Sequence, residues 1–282
     1  MVTNMGTAPG FSAETTTLPQ RARLALNHCN FPPVILGSLT FQRFPEPLII
    51  DGVATFHADL FVQLDILEDA PARAEKFHDF MVVKFRLDSP EDAGGVLGKD
   101  RAKADYLRVL RGWFFDSDGR EAAVLKSWTE SRFGLTVRHH KGALQDADDP
   151  AFGQFLKDRA DGLHNTNALE AQLDLVHAFC QYELARRYLG GTHLTLYRGV
   201  NRLNDFEVLE VRSRSDQVLL LNNVNSFTID RDTAGEFGDY ILTVQVPLAK
   251  VFFFSGLLPG RMMGEHEYIV LGGVYEVTIA TF

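Results

Sequence analysis

An abrupt change of texture at Gly190-Gly191 constrains the fold of this chain more than any other feature. Before it runs the clearest helix in the sequence, Ala168 to Leu189. Leu169, Leu173, Val176, Cys180 and Leu184 recur there on one face, at the spacing of an amphipathic helix. Asn167 and Glu170 supply an N-cap and an acidic third helical residue, and the glycine pair ends the run. Beyond it, His193 to Tyr197, Val218 to Leu221, Tyr240 to Val246, Val251 to Phe254, Glu267 to Leu271 and Tyr275 to Ala280 are short and β-rich. Gly, Pro, Asn or Asp punctuate them, the pattern of strands joined by turns. Helices followed by strands, with no alternation of the two, predict an α+β fold.

Further forward, Tyr106, Leu107, Leu110, Trp113 and Phe114 and then Val124, Leu125 and Trp128 recur at helical spacing, with a break at Ser117-Asp118-Gly119. Two packed helices are expected between Asp105 and Phe133. Phe77 to Leu87 fits either strand or helix. Residues 1–20, rich in Thr, Gly, Pro and Ala, read as a flexible terminus. The chain thus divides into that terminus, a mostly helical part over 21–190 and a β-rich part over 191–282, the last two expected to share one core.

Composition removes several function classes. Against 28 basic side chains stand 37 acidic ones, a formal charge of −9, so general attraction to nucleic acid or an anionic membrane is not expected. Cys29 and Cys180 lie outside any metal or disulfide spacing, which fits a reduced, cytoplasmic setting. No apolar run is long enough to span a bilayer, and the first twenty residues lack the pattern of a secretory signal. Gly94-Gly95-Val96-Leu97-Gly98-Lys99-Asp100 is one residue short of a phosphate loop and carries Asp where the hydroxyl belongs, so it reads as a surface turn. No strand leads into a G-x-G-x-x-G turn, which argues against a Rossmann crevice. His139-His140 lack a third ligand at metal spacing and read as solvated loop residues.

Three short signals remain, in order, within the β-rich part. Leu196-Tyr197-Arg198-Gly199 puts an arginine at a strand end with glycine after it, able to fork two donors onto a phosphate while a ligand approaches the backbone. Asn225-Ser226-Phe227-Thr228, followed by Ala234 and Phe237, sets two hydroxyls on one face of a strand. Gly264-Glu265-His266-Glu267-Tyr268 sets two carboxylates at i and i+2 at a strand entry, projecting from one side of a sheet. Alone, each has an ordinary reading: a surface ion pair, a polar strand, two solvated glutamates.

Together, in this order and spacing, they resemble the arginine-specific mono-ADP-ribosyltransferases. Over its length the chain further resembles one branch, the dinitrogenase reductase ADP-ribosyltransferases of nitrogen-fixing bacteria. The segments that carry this are Asn165-Thr166-Asn167-Ala168-Leu169-Glu170-Ala171-Gln172, Leu194-Thr195-Leu196-Tyr197-Arg198-Gly199-Val200 and Phe252-Phe253-Phe254. The middle motif departs from the family's frequent Ser-Thr-Ser, having Phe227 at its centre and Thr228 last.

The resemblance implies a β-sandwich core of ADP-ribosyltransferase type, NAD as the substrate with no bound metal, and dinitrogenase reductase as the protein modified. It also implies control through PII signalling proteins, for which the helical part offers a surface. By the same resemblance Glu267 stabilises the ribosyl cation, Ser226 orients Glu267, Arg198 holds the phosphates and Gly199 meets the nicotinamide amide. Phe227 and Thr228 contribute to the nicotinamide site, and Phe237 stacks on the ring. Glu265 takes a proton from the acceptor arginine, whose guanidinium has no free lone pair. The loop Leu257 to Met263, with its two methionines, is expected to meet the protein substrate, and the helix Ala168 to Leu189 to line the NAD cleft. Alternatives are transfer to another protein, NAD hydrolysis, or a regulator that binds NAD without turnover.

Overall fold

Capping chemistry sets where the helices begin and end in the computed structural model, which describes residues 16–88, 104–144, 148–164, 166–262 and 266–281. Short helices α1 (Pro33–Leu36), α2 (Leu39–Arg43) and α3 (Val53–Phe56) precede α4 (Ala58–Asp65) and α5 (Ala70–Phe85). The Asp69 carboxylate accepts from the Ala72 N–H at 3.2 Å and Pro71 sits in the first turn, so the ambiguous segment from Phe77 is helical as far as Phe85. The two helices expected next are α6 (Tyr106–Phe115), capped by Asp105, and α7 (Arg120–Phe133), ended by Gly134 at φ 68°. Then come α8 (Pro150–Leu163) and α9 (Ala168–Arg187). The segment from Gly94 to Asp100 lies outside the described residues.

Helix α9 corrects two expectations. Its Asn167 makes no side-chain cap; the Thr166 hydroxyl accepts from the Ala168 N–H instead, at 3.1 Å. Its buried face contains the predicted stripe but is wider than expected, taking in Gln172, Leu175, His177, Phe179 and Glu183 as well. Ala185, Arg186 and Arg187 at its end stay exposed. Phe179 stacks on Phe77 of α5 at 4.2 Å, Gln172 accepts from the Tyr106 N–H of α6 at 2.8 Å, and Gln181 donates to the Val251 carbonyl at 2.7 Å. A third correction concerns His140, which is fully buried, its Nε2 3.1 Å from Asp158 and its ring against Phe155. His139 is the exposed one of the pair. Tertiary packing, invisible in local sequence, decides both cases.

The back part is a six-stranded antiparallel sheet: β1 (His193–Val200), β2 (Glu207–Val211), β3 (Asp216–Thr228), β4 (Tyr240–Pro247), β5 (Val251–Phe254) and β6 (Glu267–Thr281). The order is β2-β3-β1-β4-β6-β5 with β3 also paired to β6, so β1, β4, β6 and β3 close into a ring. Two strands predicted on either side of Gly272-Gly273 are one bent strand. Gly273 takes φ 112°, a Cβ on Gly272 would meet the Asn222 carbonyl at 1.6 Å, and β3 shifts register beside it, between Leu221 and Val224. Glycine here bends a strand that hydrogen bonding carries through. One cluster of buried apolar side chains contains residues of both parts, from Leu36 and Phe77 to Val224 and Ile269. No helix among the described residues is long and apolar enough to cross a membrane.

Candidate active site

The ring of strands is weakly closed at one place. β1 follows β4 along its whole length but meets β3 at the single pair Tyr197 and Thr228, so the two strands part beside Ser226. Glu267 opens β6 opposite Thr228, which puts it on the same face as Thr228 and Ser226. The Ser226 hydroxyl donates to Glu267 Oε1 at 2.5 Å. Arg198 of β1 reaches over, its Nη1 donating to the Ser226 carbonyl at 2.9 Å. Its Nε is out of reach of solvent and has no hydrogen-bond partner among the described residues. Three residues far apart in sequence thus meet at one point.

A fourth joins them that the sequence motifs do not contain. Trp113 comes from α6, in the helical part, and its indole N–H donates to the Ser226 hydroxyl at 2.9 Å. In the sequence it reads as an apolar stripe position. The one available signal is general: a buried tryptophan needs an acceptor for its N–H. By contrast α9, expected to line the cleft, gives its bonds to β5 and to neighbouring helices.

Charge at this point is poised. Burial pushes the Glu267 carboxyl up to about 6, against the pull of the Ser226 and Trp113 bonds and of the Arg198 charge. Burial also lowers the pKa of the Arg198 guanidinium, while Glu267 raises it. A carboxylate held by neutral donors, out of bulk water and beside an arginine, can stabilise a positive charge that develops next to it.

The remaining predicted residues are placed as follows. The Phe227 ring is in the hydrophobic core, on the opposite face of β3 from Ser226. The Thr228 hydroxyl accepts from the Asp230 N–H at 3.1 Å, and Asp230 caps the short helix α10 (Arg231–Gly235). Gly199 owes its small size to that helix, because a Cβ there would lie 1.8 Å from the Ala234 carbonyl oxygen; the close approach is by protein backbone. Phe237 is 65% exposed, a ring presented to solvent. Leu257, Leu258 and Met262 are buried, so this stretch of the expected docking loop packs inward. Glu265 and Met263 lie outside the described residues. Among the described residues no group of three or more His, Cys, Asp or Glu is placed to hold a metal ion.

A half-buried carboxylate oriented by a serine, with an arginine beside it at a parting of strands, is an arrangement able to face a cationic sugar, as in enzymes that transfer glycosyl groups. The chain belongs to the dinitrogenase reductase ADP-ribosyltransferase family, whose model matches residues 26–279. It is 36% identical over 258 residues to the NAD(+)--dinitrogen-reductase ADP-D-ribosyltransferase of Rhodospirillum rubrum, an alignment covering 89% of this chain and 93% of that protein. No solved structure matches the chain significantly.

Proposed function

We propose that this enzyme cleaves NAD and transfers its ADP-ribose to an arginine of dinitrogenase reductase, with Glu267 as the central catalytic residue. The observation that carries the reading is the hydrogen bond from Ser226 to a half-buried Glu267 beside Arg198, in a chain of this family. In the reaction the bond from the ribose C1 to nicotinamide breaks, and its electron pair leaves on the nicotinamide nitrogen. The positive charge left on the ribose is met by the Glu267 carboxylate, which Ser226 orients. A guanidinium nitrogen of the acceptor then bonds to C1 and gives up a proton, a step for which Glu265 is the proposed base.

Arg198 is the proposed anchor for the NAD phosphates, supported by its unpartnered Nε, since a buried donor left unsatisfied costs about 1–3 kcal/mol. Thr228, on the face of Ser226, is the proposed nicotinamide contact, and Phe237 offers an exposed ring for stacking; Phe227, whose ring is in the core, and Gly199, packed on the Ala234 backbone, contribute backbone alone. The ring of strands supports a core of ADP-ribosyltransferase type. The part over 21–190 is proposed to carry substrate docking and control by a PII signalling protein, on the strength of the family resemblance.

The test is incubation with NAD and dinitrogenase reductase, beside the Glu267→Gln variant, followed by intact mass spectrometry. One added ADP-ribose on an arginine, missing with the variant, is expected. NAD consumption without an adduct would overturn the acceptor assignment and leave the NAD-cleaving site standing.

A further inference from the structure

We propose that Trp113 is a positioning residue for NAD cleavage: its indole N–H fixes the Ser226 hydroxyl so that the serine proton is committed to Glu267. This deepens the proposed function and rests on it. A serine hydroxyl has one proton and two lone pairs, and can rotate to serve whichever acceptor is nearest, whereas an indole N–H can only donate. With Trp113 donating to Ser226 at 2.9 Å, the serine's own proton is free for one acceptor, Glu267 Oε1 at 2.5 Å. The chain of donors therefore runs one way, from Trp113 to Ser226 to Glu267. Once ionised, Glu267 can only accept, so the hydroxyl must donate to it; the indole, by filling one Ser226 lone pair, favours that ionised state over a protonated carboxyl donating to the serine.

The tryptophan is held for this task. It is buried, and the start of its helix is fixed by Gln172, which accepts from the Tyr106 N–H and donates to the Ala104 carbonyl at 2.9 Å. Phe114, next in sequence, packs on Phe253 of β5. Lys126 of α7 lies 6.0 Å from the Trp113 ring and is tied to Asp118 at 2.7 Å. The charge acting on Glu267 is that of Arg198 from β1; Lys126, tied to Asp118, faces the Trp113 ring, and His266 is next to Glu267 in the chain. Trp113 is the neutral donor among them, stabilising the ionised carboxyl without adding a charge that would compete for the phosphates of NAD.

The experiment reads nicotinamide release from NAD across pH, which does not depend on the identity of the acceptor. It compares native enzyme with Trp113→Phe and with benzothienylalanine at 113, which keeps the bicyclic shape and replaces the N–H by sulfur. Both variants are expected to move the acidic limb of the kcat profile to higher pH. The loss in kcat at neutral pH should be roughly tenfold, the worth of one such bond, with KM for NAD little changed. In a Ser226→Ala background the loss caused by Trp113→Phe should be much smaller, leaving only the indole's direct pull on Glu267.

If Trp113 matters only for packing, the benzothienyl protein behaves as native and the acidic limb stays in place; that result overturns the proposal even where Trp113→Phe is unstable. Losses that add fully to those of Ser226→Ala overturn it as well. Native enzyme that binds NAD and releases no nicotinamide overturns the parent reading and this one with it. An active native enzyme with unmoved variants sinks the role of Trp113 alone.

Discussion

The helical and sheet parts of this molecule treat buried charge in different ways. Among the helices it is paired: Arg73 meets Glu183 through bonds of 2.5 and 3.0 Å, and Arg132 meets Asp174 at 2.7 and 3.1 Å. In the sheet, Arg198 bonds the Ser226 carbonyl and Lys250 the Gly272 carbonyl, and among the described residues neither has a carboxylate at ion-pair distance. Glu267 is likewise held by uncharged donors. A charge matched by its opposite is a tie between elements and has little left for a ligand, while an unmatched one keeps its field.

Lys250 shows that mismatch alone does not make a site. It is fully enclosed, between the rings of Tyr275 and Phe41, and burial brings its pKa down to about 7. It braces the bend at Gly272. Arg198 and Glu267 differ because they stand where β1 and β3 part.

The comparison can be broken at several points. The largest expected effect is on turnover. Glu267→Gln should lower transfer by about a thousandfold, with NAD affinity measured by calorimetry largely kept; retained turnover would remove the carboxylate from the chemistry. Next is Arg73→Ala, which leaves Glu183 buried with only the longer contact to Arg187 at 3.7 Å and should lose about 3 kcal/mol of stability in denaturant unfolding. The double replacement Arg73→Met with Glu183→Leu should recover most of that, as expected for a purely structural tie.

Third is the stability of Glu267→Gln itself. The folded carboxyl keeps its proton up to about 6, above its ordinary value of 4.5, so the native fold loses stability as pH rises through that window. The full difference, about 2 kcal/mol, should appear as a higher midpoint for the variant above pH 6 and none below pH 4. A variant no more stable than native at neutral pH would mean that the carboxyl is not held against its own ionisation. Smallest of all, Arg186→Ala removes an exposed bond to Asp65 and should leave thermal melting unchanged, since surface pairs contribute little.

How much of this was legible in the sequence depends on the range of the interaction. The paired helices between Asp105 and Phe133 and the strand Val251 to Phe254 follow from periodicity and turn residues acting over a few positions. Arg198, Ser226 and Glu267 were legible as short motifs in a fixed order, each carried by a few neighbouring residues, and the structure brings the three together. The burial of His140 and the bend that joins two predicted strands at Gly272 were not legible, since each depends on what a distant segment brings against it.

The sequence by itself determined the α+β division at Gly190-Gly191 and the chemical identities at the site, because hydrophobic period and residue type are local properties. Only the tertiary structure decided that a tryptophan 113 positions before Ser226 in the chain donates to it, and that the buried face of α9 takes in Gln172, His177 and Glu183. Those outcomes depend on which surfaces meet when helices close over a sheet, and no spacing within one segment records its partner in another.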